Sequence, residues 1–227
     1  MPNEINDLIL GCNQFHQKYF CDGDVVFREL IKNGQHPKTL VVSCSDSRVD
    51  PAILMNCKPG DLFVIRNVAN LIPPFENDNT HHGTSAALEF GICSLGIRHV
   101  IVLGHSQCGG IQSLFADPKP NKENSFLSKW MELVHPIYDS VMHDYATDCI
   151  DIKTEACSHR ALIHSLKNLE TFPWIQERIA TGRLFLHAWY FELSKGKFLA
   201  FNKDKHCFEE LFPEKTKPFS VSYTQDE

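Results

Sequence analysis

The sequence predicts an α/β fold: a mostly parallel central β-sheet with an antiparallel edge hairpin, flanked by α-helices and preceded by a long N-terminal helix. Three observations carry this reading. Short apolar runs rich in β-branched residues recur at Thr39–Cys44, Leu62–Arg66 and His99–Leu103, the last closed by Gly104. The stretches between and after them show helical spacing with helix-stop residues. A fourth run, Leu184–Leu193, turns through Ser194, Lys195 and Gly196 into Lys197–Phe201, which reads as a hairpin.

In chain order, residues 3–33 read as helical, with apolar residues at mixed three- and four-residue spacing from Ile5 to Phe20 and Gly34 as the stop. Ala86, Ala87, Phe90 and Leu95 place a helix over 82–95, stopped by Gly96. Residues 125–145 and 151–169 read as helices, with Pro136 a kink or break in the first, and Pro173 sits near the start of another short helix. There is no internal repeat, low-complexity segment or linker, so the expectation is a single domain over 1–227. It has an N-terminal helical arm over 1–34 and a polar, loose C-terminal tail over 215–227.

Composition excludes several classes. A net charge of −6 without a basic cluster argues against a nucleic-acid partner. No window is long and apolar enough for a membrane span, and the N-terminal residues do not form a secretory leader, so the expected location is cytoplasmic and soluble. The nine cysteines are an odd number in a chain read as intracellular, which favours reduced thiols used for packing or for metal.

Two segments carry candidate chemistry. Cys44-Ser-Asp46-Ser-Arg48 follows the first strand, and His105-Ser-Gln-Cys108-Gly-Gly110 follows the third. Ligand sites of open α/β sheets gather beyond the carboxyl ends of the strands. Cys44, His105 and Cys108 form a donor set suited to zinc, and three protein ligands leave a fourth position open for catalysis. Each piece alone is weak evidence: a lone His-x-x-Cys rarely binds metal, and a strand-end cysteine is usually core. A cysteine nucleophile with an anion-cradling arginine would need more than the three residues between Cys44 and Arg48. Arg48 can clamp Asp46 through a two-pronged ion pair, or the two can be an ordinary surface pair. The backbone N–H of Gly109 is a candidate donor at a helix start. Ser43, Phe63, Val68 and Leu88 are candidates for lining the pocket.

The segments CSDSRV and HVIVLGHSQCGGI, with RNVANLIPP at 66–74, HGTSAALEFGICSLGI at 82–97 and LHAWYFELSKGKFLAF at 186–201, resemble the β-class carbonic anhydrases. The likeness covers residues 30–202. It implies one Zn²⁺ per subunit on Cys44, His105 and Cys108, a catalytic pair of Asp46 and Arg48, and reversible hydration of carbon dioxide to bicarbonate. Asp46 has two possible jobs: to accept a hydrogen bond that orients the zinc hydroxide, or, in an inactive state, to bind the zinc itself and block the site. Two thiolates offset much of the zinc charge, so activity is expected to rise toward alkaline pH. The likeness to plant-type members places a substrate-orienting glutamine at Gln35. It also implies a homodimer or higher even homo-oligomer, with the N-terminal helix reaching across and apolar edges at 62–75 and 84–97 as interface. Some members carry an inhibitory bicarbonate site of Trp, Arg and Tyr; here those positions read Val41, Arg66 and Phe191, so no such site is expected. His81 replaces a tyrosine of many relatives, and with His82 it is a candidate proton shuttle. The competing readings are hydrolysis of carbon disulfide or carbonyl sulfide on the same scaffold, and a non-catalytic zinc-binding regulatory module.

Overall fold

The computed structural model describes residues 3–21, 25–78, 80–116 and 125–212. The β-branched runs become strands β1 (Thr39–Cys44), β2 (Leu62–Asn67) and β3 (His99–His105), followed by β4 (Phe185–Glu192), β5 (Lys197–Asn202) and β6 (Cys207–Glu210). They form one sheet in the order β2-β1-β3-β4-β5-β6. β1 pairs in parallel with β2 and β3, and β3 with β4, while β5 and β6 complete an antiparallel edge. The anticipated hairpin is β4–β5. β6 was not anticipated: its four residues, Cys-Phe-Glu-Glu, carry little apolar pattern, and the strand is held by its ladder together with Lys197–Glu210 and Asn202–Glu209 contacts.

The helix expected over 3–33 is two helices, α1 (Asn3–His16) and α2 (Val26–Asn33), with a π-helical turn at Gln17–Cys21; residues 22–24 lie outside the described ones. The rings of Phe15 and Tyr19 pack on Phe27 at 5.2 and 5.1 Å, so the arm folds back on itself. After β1 comes α3 (Pro51–Leu54), whose N-cap Asp50 accepts from the N–H groups of Ala52 and Ile53. The helix expected over 82–95 is α4 (Gly83–Glu89) running into a π-helical turn at Phe90–Ser94. Gly91 lies in that turn because a Cβ there would come within 2.8 Å of Leu40. Gly96 stops the segment at φ +67°, as expected.

After β3 come α5 (Gly109–Gln112) and α6 (Phe126–Met131), and Pro136 occupies the first turn of α7 (His135–Asp144). The single kinked helix expected over 125–145 is therefore two helices joined by a 3₁₀ turn at Glu132–Val134. α8 (Ile150–Leu169) and α9 (Pro173–Ala180) match expectation closely. The tail expected over 215–227 lies outside the described residues. No described helix is long and apolar enough to cross a membrane.

The main core sets Leu40, Val42, Val100 and Val102 of the sheet against Leu88 and Ile92 on one side of the chain's helical layer and Leu162, Leu166 and Leu169 of α8 on the other. A second cluster gathers Cys44, Ala69, Cys108, Ile111, Cys157 and Ala161 at the carboxyl ends of β1 and β3. Thus α8 supports both the sheet and the site.

His159 of α8 is wedged between Tyr190 and Phe208, at 4.3 and 4.4 Å between ring centroids, and its Nε2 is buried without a hydrogen-bond partner among the described residues. Burial pushes its pKa down to about 4. The unfolded chain therefore binds a proton that the folded chain refuses. This contribution to stability is complete above the unfolded value of about 6.5 and drains as pH falls toward 4, on the order of 2–3 kcal/mol. Denaturant unfolding of wild type and His159→Phe between pH 7.5 and 4 should show a shallower acid loss in the variant; equal slopes would refute the assignment.

Candidate metal centre

β1 and β3 are neighbours, so their carboxyl ends deliver Cys44 and His105 to the same edge of the sheet. The chain then reverses within Ser106-Gln107. Gln107 adopts φ +57°, a left-handed conformation rare for a residue with a side chain, and this turn brings Cys108 back over His105. Cys108 is the N-cap residue of α5. Gly110 lets that turn sit against the loop after β2, since a Cβ there would approach Val68 Cγ1 to 2.8 Å and Ala69 Cβ to 3.0 Å.

The outcome is a buried trio. Cys44, His105 and Cys108 are at most 5% exposed, and their ligand atoms all lie within 4.8 Å of one another. The two sulfurs are 3.9 Å apart. Two thiolates bound about 2.3 Å from one tetrahedral zinc would stand about 3.8 Å apart. His105 Nδ1–H donates to the Ser106 carbonyl at 2.8 Å, which leaves the Nε2 lone pair free, and Nε2 is buried with no other partner among the described residues. An orphaned imidazole nitrogen facing two sulfurs is costly unless an ion completes it. The donor set fits Zn²⁺, which these three residues would hold.

One of the two sulfurs is prepared to be a thiolate. Hydrogen bonding from Cys108 is the largest cause that holds the Cys44 thiol far below its usual range, and the N–H groups of Asp46 and Ala69 also point at it. The same sulfur–sulfur bond and burial push Cys108 up, against N–H groups of Ile111 and Gly110 that favour its anion. The pair therefore gives up its first proton readily and holds the second.

Asp46 and Arg48 stand beside the trio. Arg48 Nε and Nη2 donate to the two Asp46 oxygens at 3.0 and 2.7 Å, and the Arg48 backbone N–H donates to Oδ1 at 2.9 Å. The guanidinium holds the Asp46 carboxyl well below the usual carboxylate range. Asp46 Oδ2 is 4.0 Å from His105 Nε2, so the clamped carboxylate faces the metal position. Arg48 also reaches the Gln107 carbonyl at 3.2 Å.

Sequence reasoning missed Arg66 as a positioning residue of this site. It donates to the carbonyls of Cys44 and Asp46 at 3.0 and 2.6 Å and to Asp50 at 3.1 Å, fastening the whole 44–50 loop to β2. The signal available was an arginine inside an apolar strand, an expensive placement without a dedicated partner. Gln107 was also missed; nothing in its residue type announces a left-handed turn.

The other expected residues divide. Ser43 is fully buried next to Cys44, and Val68 packs beside Gly110. Leu88 belongs to the main core and Phe63 packs against it, and neither is among the residues gathered around the three ligands. The Gly109 N–H opens α5 next to Cys108. His81 is exposed on the loop before α4, and His82 bonds to Asp78 and Thr80 of that loop at 2.8 and 2.9 Å. Gln35 precedes β1, at the opposite end of that strand from Cys44. α2, just before it, rests Leu30 on Gly60 at the start of β2. The length of β1 alone is about 17 Å at roughly 3.3 Å per residue, so Gln35 does not join the metal centre of its own chain.

The family model for carbonic anhydrase matches residues 39–198. A β carbonic anhydrase 5 of Arabidopsis thaliana, described as chloroplastic, is 37% identical over 161 residues, spanning 71% of this chain and 53% of that protein. The carbonic anhydrase of Synechocystis sp. is 35% identical over 205 residues, 88% of this chain and 72% of the relative. Among solved structures, the β-carbonic anhydrase CcaA superposes with a TM-score of 0.85 at 33% identity, covering 91% of this chain and 99% of that one. One of two tetrameric β-carbonic anhydrases of Sordaria macrospora superposes with a TM-score of 0.74 at 25% identity, covering 91% and 99%. The chain belongs to the carbonic anhydrase family, in its β class.

Metal analysis of purified variants should separate ligands from their neighbours. Cys108→Ser is expected to lose most of its zinc, whereas Arg48→Ala should keep close to one zinc per chain. Full zinc in Cys108→Ser would remove Cys108 from the ligand set.

Proposed function

We propose that this protein is a zinc enzyme that interconverts carbon dioxide and bicarbonate, with Cys44, His105 and Cys108 as ligands and Asp46 and Arg48 as its catalytic pair. The observation that carries this reading is the clamped carboxylate: Asp46, ionised and aimed at the metal position, yet held back from it by Arg48. Zinc held by these three residues would supply Lewis acidity, which makes water a usable nucleophile near neutral pH. Asp46 Oδ2 is placed to accept a hydrogen bond from, and so orient, a water at the metal position. Arg48 keeps Asp46 anionic and fixes its direction, with its own position set by Gln107. The Gly109 N–H can donate to an oxygen of the substrate, and the buried walls from Ala69, Ile111 and Ala161 keep the rear of the site dry.

A purely structural zinc site would supply a fourth protein ligand, and among the described residues only three donors converge here. Nothing in the site favours carbon disulfide or carbonyl sulfide over carbon dioxide.

We infer that the working form is a homo-oligomer with the dimer as its unit. β2 is an edge strand, and Val64, Val68, Phe75 and Phe90 are exposed along it and beside it; so are Leu8, Ile9 and Leu10 of α1. Since Gln35 cannot reach its own site, its side-chain amide would act in the site of a second copy. Free thiols suit a reducing aqueous compartment such as the cytoplasm. His81, exposed on the loop before α4, is our candidate for passing protons to buffer.

In a carbon dioxide hydration assay, Arg48→Ala should fall by about 10²-fold or more while keeping its zinc. Co-assembled Gln35→Ala and Cys108→Ser chains should recover activity beyond that of either alone, because one site per mixed dimer would then be whole; no recovery would refute action of Gln35 across the dimer. His81→Ala should lose turnover in weak buffer and regain it in strong buffer, and a loss that ignores buffer strength would dismiss the relay.

A further inference from the structure

The outer face of α8 lines a second pocket. It encloses about 220 Å³ between α7 and α8, walled by Ile137 and Ser140 of α7 and by Arg160, Ile163, His164 and Lys167 of α8. Its α8 residues lie on a different side of the helix from Ser158 and Ala161, which border the metal centre.

Positions 160, 164 and 167 fall on one stripe of a helix, so three basic side chains stand over one another in a shared concavity. Arg160 and Lys167 are the lasting positive charges of this set. One carboxylate answers them: Asp144, which pairs with Arg160 at 2.7 Å and also touches His143 at 3.0 Å. Among the described residues no carboxylate pairs with His164 or Lys167. Placement of Lys167 in the last turn of α8 is favourable to the helix dipole, but that does not account for His164 or for the pocket.

The donors are also held in place. Arg160 Nη1 donates to Ser140 Oγ, and its guanidinium lies 5.4 Å over the Tyr145 ring. Ser140 Oγ accepts from Arg160 and so keeps its hydroxyl proton to donate. Burial, and after it the neighbouring Lys167 charge, lower the His164 pKa. Ile137 and Ile163 provide an apolar wall. The volume is below that of pockets for drug-sized ligands, so the occupant is small.

We propose that this pocket binds a small oxyanion of the phosphate class, with Lys167 as the point charge, His164 and Ser140 as hydrogen-bond donors, and Arg160 framing one side. A tetrahedral dianion offers an oxygen to each of these donors, and Lys serves phosphate as a compact charge. The role is independent of the hydration chemistry, since none of these residues touches the metal centre.

The test uses the full-length, zinc-loaded protein titrated with inorganic phosphate and, separately, with methyl phosphate, followed by calorimetry and by the His164 ring proton resonance. Saturable binding of one anion per chain is expected, with the His164 resonance moving. Tighter methyl phosphate would identify an organic monoester as the occupant, and tighter inorganic phosphate the free ion. Lys167 is exposed, so Lys167→Glu should fold and keep its zinc while binding about tenfold more weakly or worse; Lys167→Arg should stay close to wild type. Phosphate binding unchanged by Lys167→Glu would mean that the anion sits elsewhere, the zinc included. Either that result, no binding of either phosphate, or equal binding of bicarbonate at the His164 resonance would overturn the proposal.

Discussion

Two sulfurs 3.9 Å apart and an imidazole nitrogen without a partner, all sealed from water, set the terms for this structure. Such a grouping is unfavourable on its own, because desolvated thiolates repel and a buried ring nitrogen wants a bond. Zinc reverses the sign of that cost. Its binding energy can then hold together three chain segments that local propensity would leave unconnected. The adjacency of β1 and β3, the left-handed Gln107 and the bare Cα of Gly110 are the means by which the backbone satisfies this constraint.

Two arginines divide the remaining work. Arg66 has its donors committed to two carbonyls and to the N-cap of α3, so it acts as a fastener under the 44–50 loop. Arg48 is more exposed and clamps Asp46 alone among carboxylates, so it acts on charge and direction rather than on the frame. Val41 is sealed in the sheet, Phe191 packs on Phe198 at 4.7 Å, and Arg66 is already bonded to the loop.

α8 links the layers of the molecule. One face carries Leu162 and Leu166 into the main core, and Cys157 and Ala161 support the metal centre. Its outer stripe carries Arg160, His164 and Lys167 into a pocket of different chemistry. A 20-residue helix has enough turns to serve all three surroundings, which explains why its overall amphipathic signal is modest and its buried residues include Thr154, Ser158, Ser165 and Asn168.

Much of the fold was legible in the residues, because β-branched runs and stop signals act locally: β1 to β5, α8, α9 and the stop at Gly96 all follow from them. The ligand types were legible as well, since few side chains hold zinc and their motifs lie directly after strands. Where local pattern is thin, reading the chain failed: β6 is four mostly polar residues, the arm breaks into two helices, and Phe63 and Leu88 face the core. Strand order, the clamp of Asp46, the fastening by Arg66 and the placement of Gln35 far from its own Cys44 were decided only by tertiary structure. Each depends on which segments lie side by side, a consequence of summed packing that no single stretch of sequence encodes.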